Sequence, residues 1–352
     1  MTLTTILALA FRRRIEYRDR LAIKESLSQE SPGGVVRFTI MIVKYTFIVE
    51  GIGALLLFFA FLRYFPPGKA IFAAIFHSVS AFCNAGFSIF SDSLEGFVLD
   101  PFVTLVMAGL IILGGLGFIV IAEIVRTRKI RTLHARVVVY ITLSLIAAGF
   151  SLILLFEWNN QDTLGALPVG GRFLAALFHS VTPRTAGFNT ISMDFFHPST
   201  LFVTMFLMFV GASPGGTAGG VKTTVFAILL GFVNSSLRGK KTLEIYRRRI
   251  PQITANRAIS LVMVASLYVL GIVVTVMVLQ SFTPVEALFE VISAFGTVGL
   301  STGITSELLS FNKFLIIITM YVGRVGFFSL LMLRWQRKPY DYLVYPEENL
   351  PV

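Results

Sequence analysis

The chain has 352 residues, 55% of them hydrophobic and 14% charged, against about 25% charged in an ordinary soluble domain. Its 49 acidic and basic residues are bunched along the chain and cannot supply the charged skin of a soluble fold this long, which excludes a soluble enzyme. The single cysteine, Cys83, excludes an intrachain disulfide framework or a cysteine-rich metal site.

Residues 1–11 are apolar but too short to span a bilayer, and the run Arg12-Arg13-Arg14 follows them, the reverse of a signal peptide. Six later stretches reach the length of about 20 apolar residues that a crossing needs: 38–61, 98–125, 136–157, 199–237 (long and interrupted), 257–281 and 311–335. Twenty-two of the 30 basic residues fall in four clusters, at 12–37, 126–136, 238–257 and 334–338. Two spans separate each cluster from the next, so all four are predicted on the cytoplasmic side. Asp92, Glu95, Asp100, Glu157, Asp162, Asp194 and Glu307 fall on the other. The net charge of +11 is therefore topology, and nucleic-acid binding is not expected.

Within each pair of spans lies an apolar segment too short to cross. The three segments run Ala74-Ile-Phe-His-Ser-Val-Ser-Ala-Phe-Cys-Asn-Ala-Gly-Phe87, Ala176-Leu-Phe-His-Ser-Val-Thr-Pro-Arg-Thr-Ala-Gly-Phe188 and Ala287-Leu-Phe-Glu-Val-Ile-Ser-Ala-Phe-Gly-Thr-Val-Gly-Leu300. They form an internal repeat with Gly86, Gly187 and Gly299 in register, 101 and 112 residues apart. A short re-entrant helix followed by a glycine turn is the construction of an ion selectivity filter. Its carbonyls replace the hydration shell of the ion, and non-helical backbone is tolerated at membrane depth only where protein buries it or water reaches it. Glycine permits the alternating carbonyl directions, and the negative helix C-terminus aimed at the pore favours a cation. A single such segment would read as a tight loop between packed helices; three in register do not.

These residues resemble the Ktr/Trk/HKT superfamily of potassium transporters. The resemblance rests on Asn84-Ala-Gly-Phe87, Thr182-Pro-Arg-Thr-Ala-Gly-Phe-Asn-Thr190 and Gly296-Thr-Val-Gly-Leu-Ser-Thr-Gly303, and covers essentially the whole chain. The ending Lys338-Pro-Tyr-Asp-Tyr-Leu-Val-Tyr-Pro-Glu-Glu-Asn-Leu-Pro351 is similar to the Ktr-type membrane subunit. The resemblance implies an all-α integral membrane fold of helix–pore-helix–helix units around a pseudo-fourfold pore in a bacterial inner membrane. It places the filter at Asn84, Ala85 and Gly86, at Thr185, Ala186 and Gly187, and at Thr297, Val298 and Gly299. It also implies a homodimer and a separate cytoplasmic regulatory subunit that carries the nucleotide. This chain itself would bind no cofactor, holding only K+ at the filter carbonyls, with Na+ as an alternative ion.

Gly211-Ala212-Ser213-Pro214-Gly215-Gly216-Thr217, within a run ending at Gly220, interrupts the long fourth span, and no continuous helix survives there easily. The resemblance makes it a gate loop beneath the filter. A phosphate-binding reading of Gly215 through Thr223 fails, because Val221 separates Gly220 from Lys222 and no strand precedes it. Arg324, near the middle of the last span, is expensive at that depth and functional by default; the resemblance sets it beside the pathway, opposing cations or positioning the gate. Glu50 is expected to bond a re-entrant segment, Arg184 to brace a filter turn through backbone carbonyls, and His77, His179 and Glu290 to brace the short helices from one shared slot. No histidine spacing fits a metal or an intramembrane enzyme.

Residues 1–11 and the basic run after them match the end of the outgoing helix near Gly114–Arg126, so they read as the tail of an absent first unit, and an upstream extension of roughly 80–100 residues is expected from the repeat length. The predicted organisation is that tail with its basic loop (1–37), three complete units (38–135, 136–256 and 257–335) and a cytoplasmic tail (336–352). The predicted function is potassium uptake gated by 211–220. The alternative is a six-helix solute carrier holding an organic substrate at the broken helix; the shared orientation of the repeats argues against it.

Overall fold

The computed structural model describes residues 35–240 and 242–325. The expected helix tail at 1–11, the basic run up to residue 34, the 326–335 part of the last span and the tail 336–352 lie outside the described residues.

Three units follow in chain order. The first comprises α1 (Val35–Phe61), α2 (Pro67–Phe82), α3 (Pro101–Gly115) and α4 (Phe118–Thr127). The second comprises α5 (Leu133–Glu157), α6 (Val169–Val181), α7 (Pro198–Phe209) and α8 (Thr223–Leu237). The third comprises α9 (Gln252–Leu279), α10 (Pro284–Gly296) and α11 (Ser310–Val325). Local chemistry starts the helices. Proline opens α2, α3, α7 and α10, where its missing amide costs nothing, and Pro168 stands just before α6. Asp100 caps α3 by accepting from the amides of Phe102 and Val103, and Thr283 and Glu286 form a reciprocal capping box at α10.

α1, α5 and α9 are long and apolar enough to cross a bilayer individually. Only 17% of the apolar window of α1 is buried; its outward side chains, Phe47, Leu55 and Phe59 among them, form a face suited to lipid chains. The short helices α2, α6 and α10 are each enclosed by their own unit, and α6 and α10 also by the preceding one. α2 packs between α1 and α3, and α6 contacts α5 and α3. α10 contacts α9, α11 and α7. The outgoing helix of one unit thus buttresses the short helix of the next. Two large apolar cores follow the same division, one around Phe61, Phe178 and Phe188 and another around Met208, Phe289 and Phe295.

One expectation needs correction. The stretch 98–125 is not one straight span: α3 and α4 meet at a 100° bend. The cause is the run Gly114–Gly117, where Gly117 takes φ +87°. The carbonyls of Gly114 and Gly115 receive the amides of Thr217 (3.2 Å) and Ser213 (3.1 Å), while Phe118 N donates to Gly215 O (3.1 Å). A distant loop has taken over the helix's own hydrogen bonds, so the ladder cannot continue. The all-α class holds, with one small hairpin of β1 (Glu244–Ile245) and β2 (Arg248–Arg249) after α8.

Candidate ion pathway

Each re-entrant helix ends in the same backbone sequence. Asn84, Thr185 and Thr297 adopt φ of +49°, +73° and +52°, and two residues later Gly86, Gly187 and Gly299 adopt +72°, +81° and +95°. Left-handed residues alternate with the ordinary residues Ala85, Ala186 and Val298, the backbone condition for carbonyls that swing toward one line. The turns sit edge to edge. A Cβ on Gly86 would run into the Ala186 carbonyl oxygen, and one on Gly187 into the Val298 carbonyl oxygen. Gly187 and Gly299 are also neighbours, with 3.9 Å between the Gly187 Cα and a Cβ position on Gly299. The nine residues expected at the filter are therefore brought together by three separate units. The hydroxyl oxygens of Thr185 and Thr297 are buried and have no partner among the described residues.

Two braces hold each turn from behind. The amide of the middle residue returns to the short helix: Ala85 to Ser80 O (2.9 Å), Ala186 to Thr182 O (3.0 Å) and Val298 to Ser293 O (2.9 Å). The hydroxyls of those same anchors reach the backbone around the glycine. Ser80 Oγ donates to Phe87 O at 2.8 Å and Thr182 Oγ1 to Phe188 O at 2.5 Å, and Ser293 Oγ accepts from Gly299 N at 3.2 Å. The slot of His77, His179 and Glu290 forms the second brace. His77 Nε2 pairs with Ser88 Oγ (3.0 Å), His179 Nε2 with Thr190 Oγ1 (3.4 Å), and Glu290 accepts from Ser301 (2.8 Å) and from Thr305. Sequence reading found the slot but missed the anchors three residues further on; the signal was present, since all three repeats carry Ser or Thr there.

The interrupted span breaks into α7 and α8 with the loop 210–222 between them, closed at its neck by a parallel bridge between Val210 and Val221. The loop lies across the ends of all three short helices. Thr217 Oγ1 donates to Phe82 O at the end of α2 (3.2 Å). Arg184, just past α6, donates through Nη2 to Gly211 O (3.2 Å). A Cβ on Gly219 would stand 3.0 Å from Gly296 O at the end of α10 and against the Thr297 hydroxyl. Arg324 Nη1 donates to the Thr217 carbonyl, so the expected gate residues from Gly211 to Thr217 and Arg324 meet. Lys222, which sequence reading treated only as part of a failed phosphate loop, ties the C-terminal side through Nζ to Ala218 O (2.7 Å). Arg184 thus reaches the 210–222 loop rather than the turn it adjoins.

Arrangement and sequence are shared with known proteins. Residues 3–344 match the TrkH family, described as a cation transport protein. The chain belongs to that family. It is 36% identical over 329 residues to Ktr system potassium uptake protein B of Bacillus subtilis, covering 93% of this chain and 74% of that one. Against the potassium/sodium uptake protein NtpJ of Enterococcus hirae it is 39% identical, covering 96% and 77%. The crystal structure of the potassium transporter TrkH from Vibrio parahaemolyticus has the same fold, with a TM-score of 0.71 over 92% of this chain and 69% of that one at 18% identity. This TrkH-family chain is a multi-pass membrane protein of the cation transport class, and its work is passage of an ion rather than making or breaking bonds.

Other polar side chains support the site. Glu50 accepts from Cys83 Sγ at 3.7 Å, and Glu50 O accepts from Ser78 Oγ at 2.7 Å, so α1 is tied to α2 as expected. Glu157, read from sequence only as an outer acidic residue, is fully buried. It accepts from Asn160 (2.7 Å), Thr163 (2.6 Å), His197 N (2.9 Å) and Thr200 (2.5 Å), pinning the outer end of α5 to the start of α7. Asn189 joins the first two units, donating to Glu95 Oε1 at 2.7 Å. Burial and the neighbouring Asp92 raise the Glu95 carboxyl above the usual glutamate range against this donation, with Asp194 adding to the rise.

Proposed function

We propose that this chain is the ion-translocating membrane subunit of a potassium uptake system, passing K+ through carbonyls of the three filter turns and closing the path with the 211–220 loop. One observation carries the reading: three glycine turns from three repeats lie edge to edge with alternating left-handed residues. K+ sheds water only where oxygens replace its shell, and the paired braces hold those oxygens at fixed spacing. The relatives are named for potassium and, in one case, for potassium or sodium uptake, so Na+ is the competitor to test. The loop supports a gate because it spans the ends of all three short helices through individually modest bonds, each worth about 1 kcal/mol. Arg324 and Lys222 place two positive charges on it, which oppose a cation while it rests there. Relatives named as part of a Ktr system support a nucleotide-binding cytoplasmic regulatory subunit; a homodimer of the membrane subunit completes the assembly.

Rubidium uptake into liposomes carrying the transporter, with K+ and Na+ as competitors, tests both parts. K+ is expected to compete more strongly than Na+, and equal competition would defeat the selectivity reading. Removing residues 212–218 is expected to raise flux; unchanged or lower flux in a correctly inserted variant would defeat the gate reading.

A further inference from the structure

Arg184 is only 5% exposed, at membrane depth, and its bond from Nη2 to Gly211 O leaves Nη1 buried without a protein partner among the described residues. No carboxylate balances it there: the exposed Lys240–Glu244 pair is the one ion pair among the described residues. The Oγ1 of Thr142, on α5 and 4% exposed, is likewise buried and unpartnered. These two residues line a single cavity of about 10 Å³, closed by Gly115 and Ala212 among others. That is room for one water molecule. Two unsatisfied polar groups facing a space of that size are the conditions under which buried water is retained, since leaving each unpaired is costly.

We propose that one water molecule bridges Arg184 Nη1 to Thr142 Oγ1, and that Arg184, so held, is a positioning residue locking the gate loop to the second filter turn. Arg184 directly precedes Thr185 of the filter, and Gly211 opens the gate loop. With only the Gly211 bond the guanidinium would be free to swing about one contact. The water adds a second anchor on α5, a helix that supplies no filter or gate residue. The closed position of the loop then depends on a hydroxyl outside both. A water serves because it accepts from Nη1 while keeping its own protons to donate. A halide would also accept from both groups, but it is larger than the sphere the cavity admits.

This inference rests on the gate reading, and Thr142 permits a test that separates the two. In reconstituted transporter, Thr142→Val keeps the shape of the side chain and removes the hydroxyl. Loss of about one hydrogen bond from the closed state is expected to raise rubidium flux by about fivefold. Thr142→Ser restores the wild-type rate. With residues 212–218 removed, Thr142→Val should add nothing, because the element it locks is gone. If loop removal raises flux but Thr142→Val changes nothing, or changes it equally with and without the loop, the water lock is wrong and the gate stands. If loop removal has no effect, both fall. A high-resolution density map gives an independent reading: a peak about 2.9 Å from Arg184 Nη1 is expected. A featureless cavity, or an anomalous signal there from bromide-soaked protein, would overturn the water.

Discussion

Replacing Thr182 with valine removes one hydroxyl from behind the second filter turn and leaves the volume of the side chain nearly unchanged. In the native protein that hydroxyl donates to the carbonyl of Phe188 at 2.5 Å, and Thr182 is fully buried. The carbonyl belongs to the residue after Gly187, so its restraint fixes the exit of the turn. Leaving a buried acceptor unpaired costs about 1–3 kcal/mol. The turn relieves that cost by moving, and a filter that moves by a few tenths of an ångström fits a smaller ion better than before. If about 1 kcal/mol of the fit is lost, the preference for K+ over Na+ falls by about fivefold. Competition of K+ and Na+ for rubidium uptake in liposomes measures it. Thr182→Ser keeps the donor and should retain most of the preference. An unchanged preference in a Thr182→Val protein with native thermal stability would refute the claim that the brace sets the filter. The same substitution at Ser80 or Ser293 tests whether the three turns are held alike.

Three further outcomes are expected. Glu157→Ala removes the shared acceptor of four donors, two of them, the hydroxyls of Thr163 and Thr200, on buried residues, and should cost about 3 kcal/mol, read as a fall of several degrees in unfolding temperature in detergent, while Glu157→Gln should be milder. Glu95 binds its proton at a higher pH than an ordinary glutamate because of burial and the nearby Asp92 and Asp194; lowering the outer pH through that raised range removes a negative charge from the mouth, so apparent K+ affinity should weaken at low ionic strength. Glu95→Gln should weaken affinity at neutral pH and flatten that dependence. Arg324→Gln removes a full charge from the contact with the Thr217 carbonyl, and flux at low K+ should rise; a fall in flux with normal insertion would show that Arg324 does not hold the path closed.

Much of this protein is legible in one dimension. Hydropathy marks α1, α5 and α9, because a bilayer demands length and apolarity from each segment independently. Three glycines in register mark the left-handed turns, because a left-handed backbone position is a local demand on residue type. The slot of His77, His179 and Glu290 appears once the repeats are laid side by side, although its partners Ser88, Thr190 and Ser301 emerge only in space.

Tertiary structure decided the remainder. An apolar run over 98–125 carries no mark of a right-angle bend; the bend exists because the amides of Ser213 and Thr217, about a hundred residues away, take the carbonyls of Gly115 and Gly114. Arg184 adjoins a glycine turn in sequence yet bonds to Gly211 of the distant 210–222 loop, and Glu157 looks like a solvated loop acid yet is an internal staple. Each outcome depends on hydrogen bonds between units with no fixed spacing along the chain. The sequence alone marked the long apolar helices and the three glycine turns; how those turns are fastened to the 210–222 loop was decided only when three repeats closed on one another.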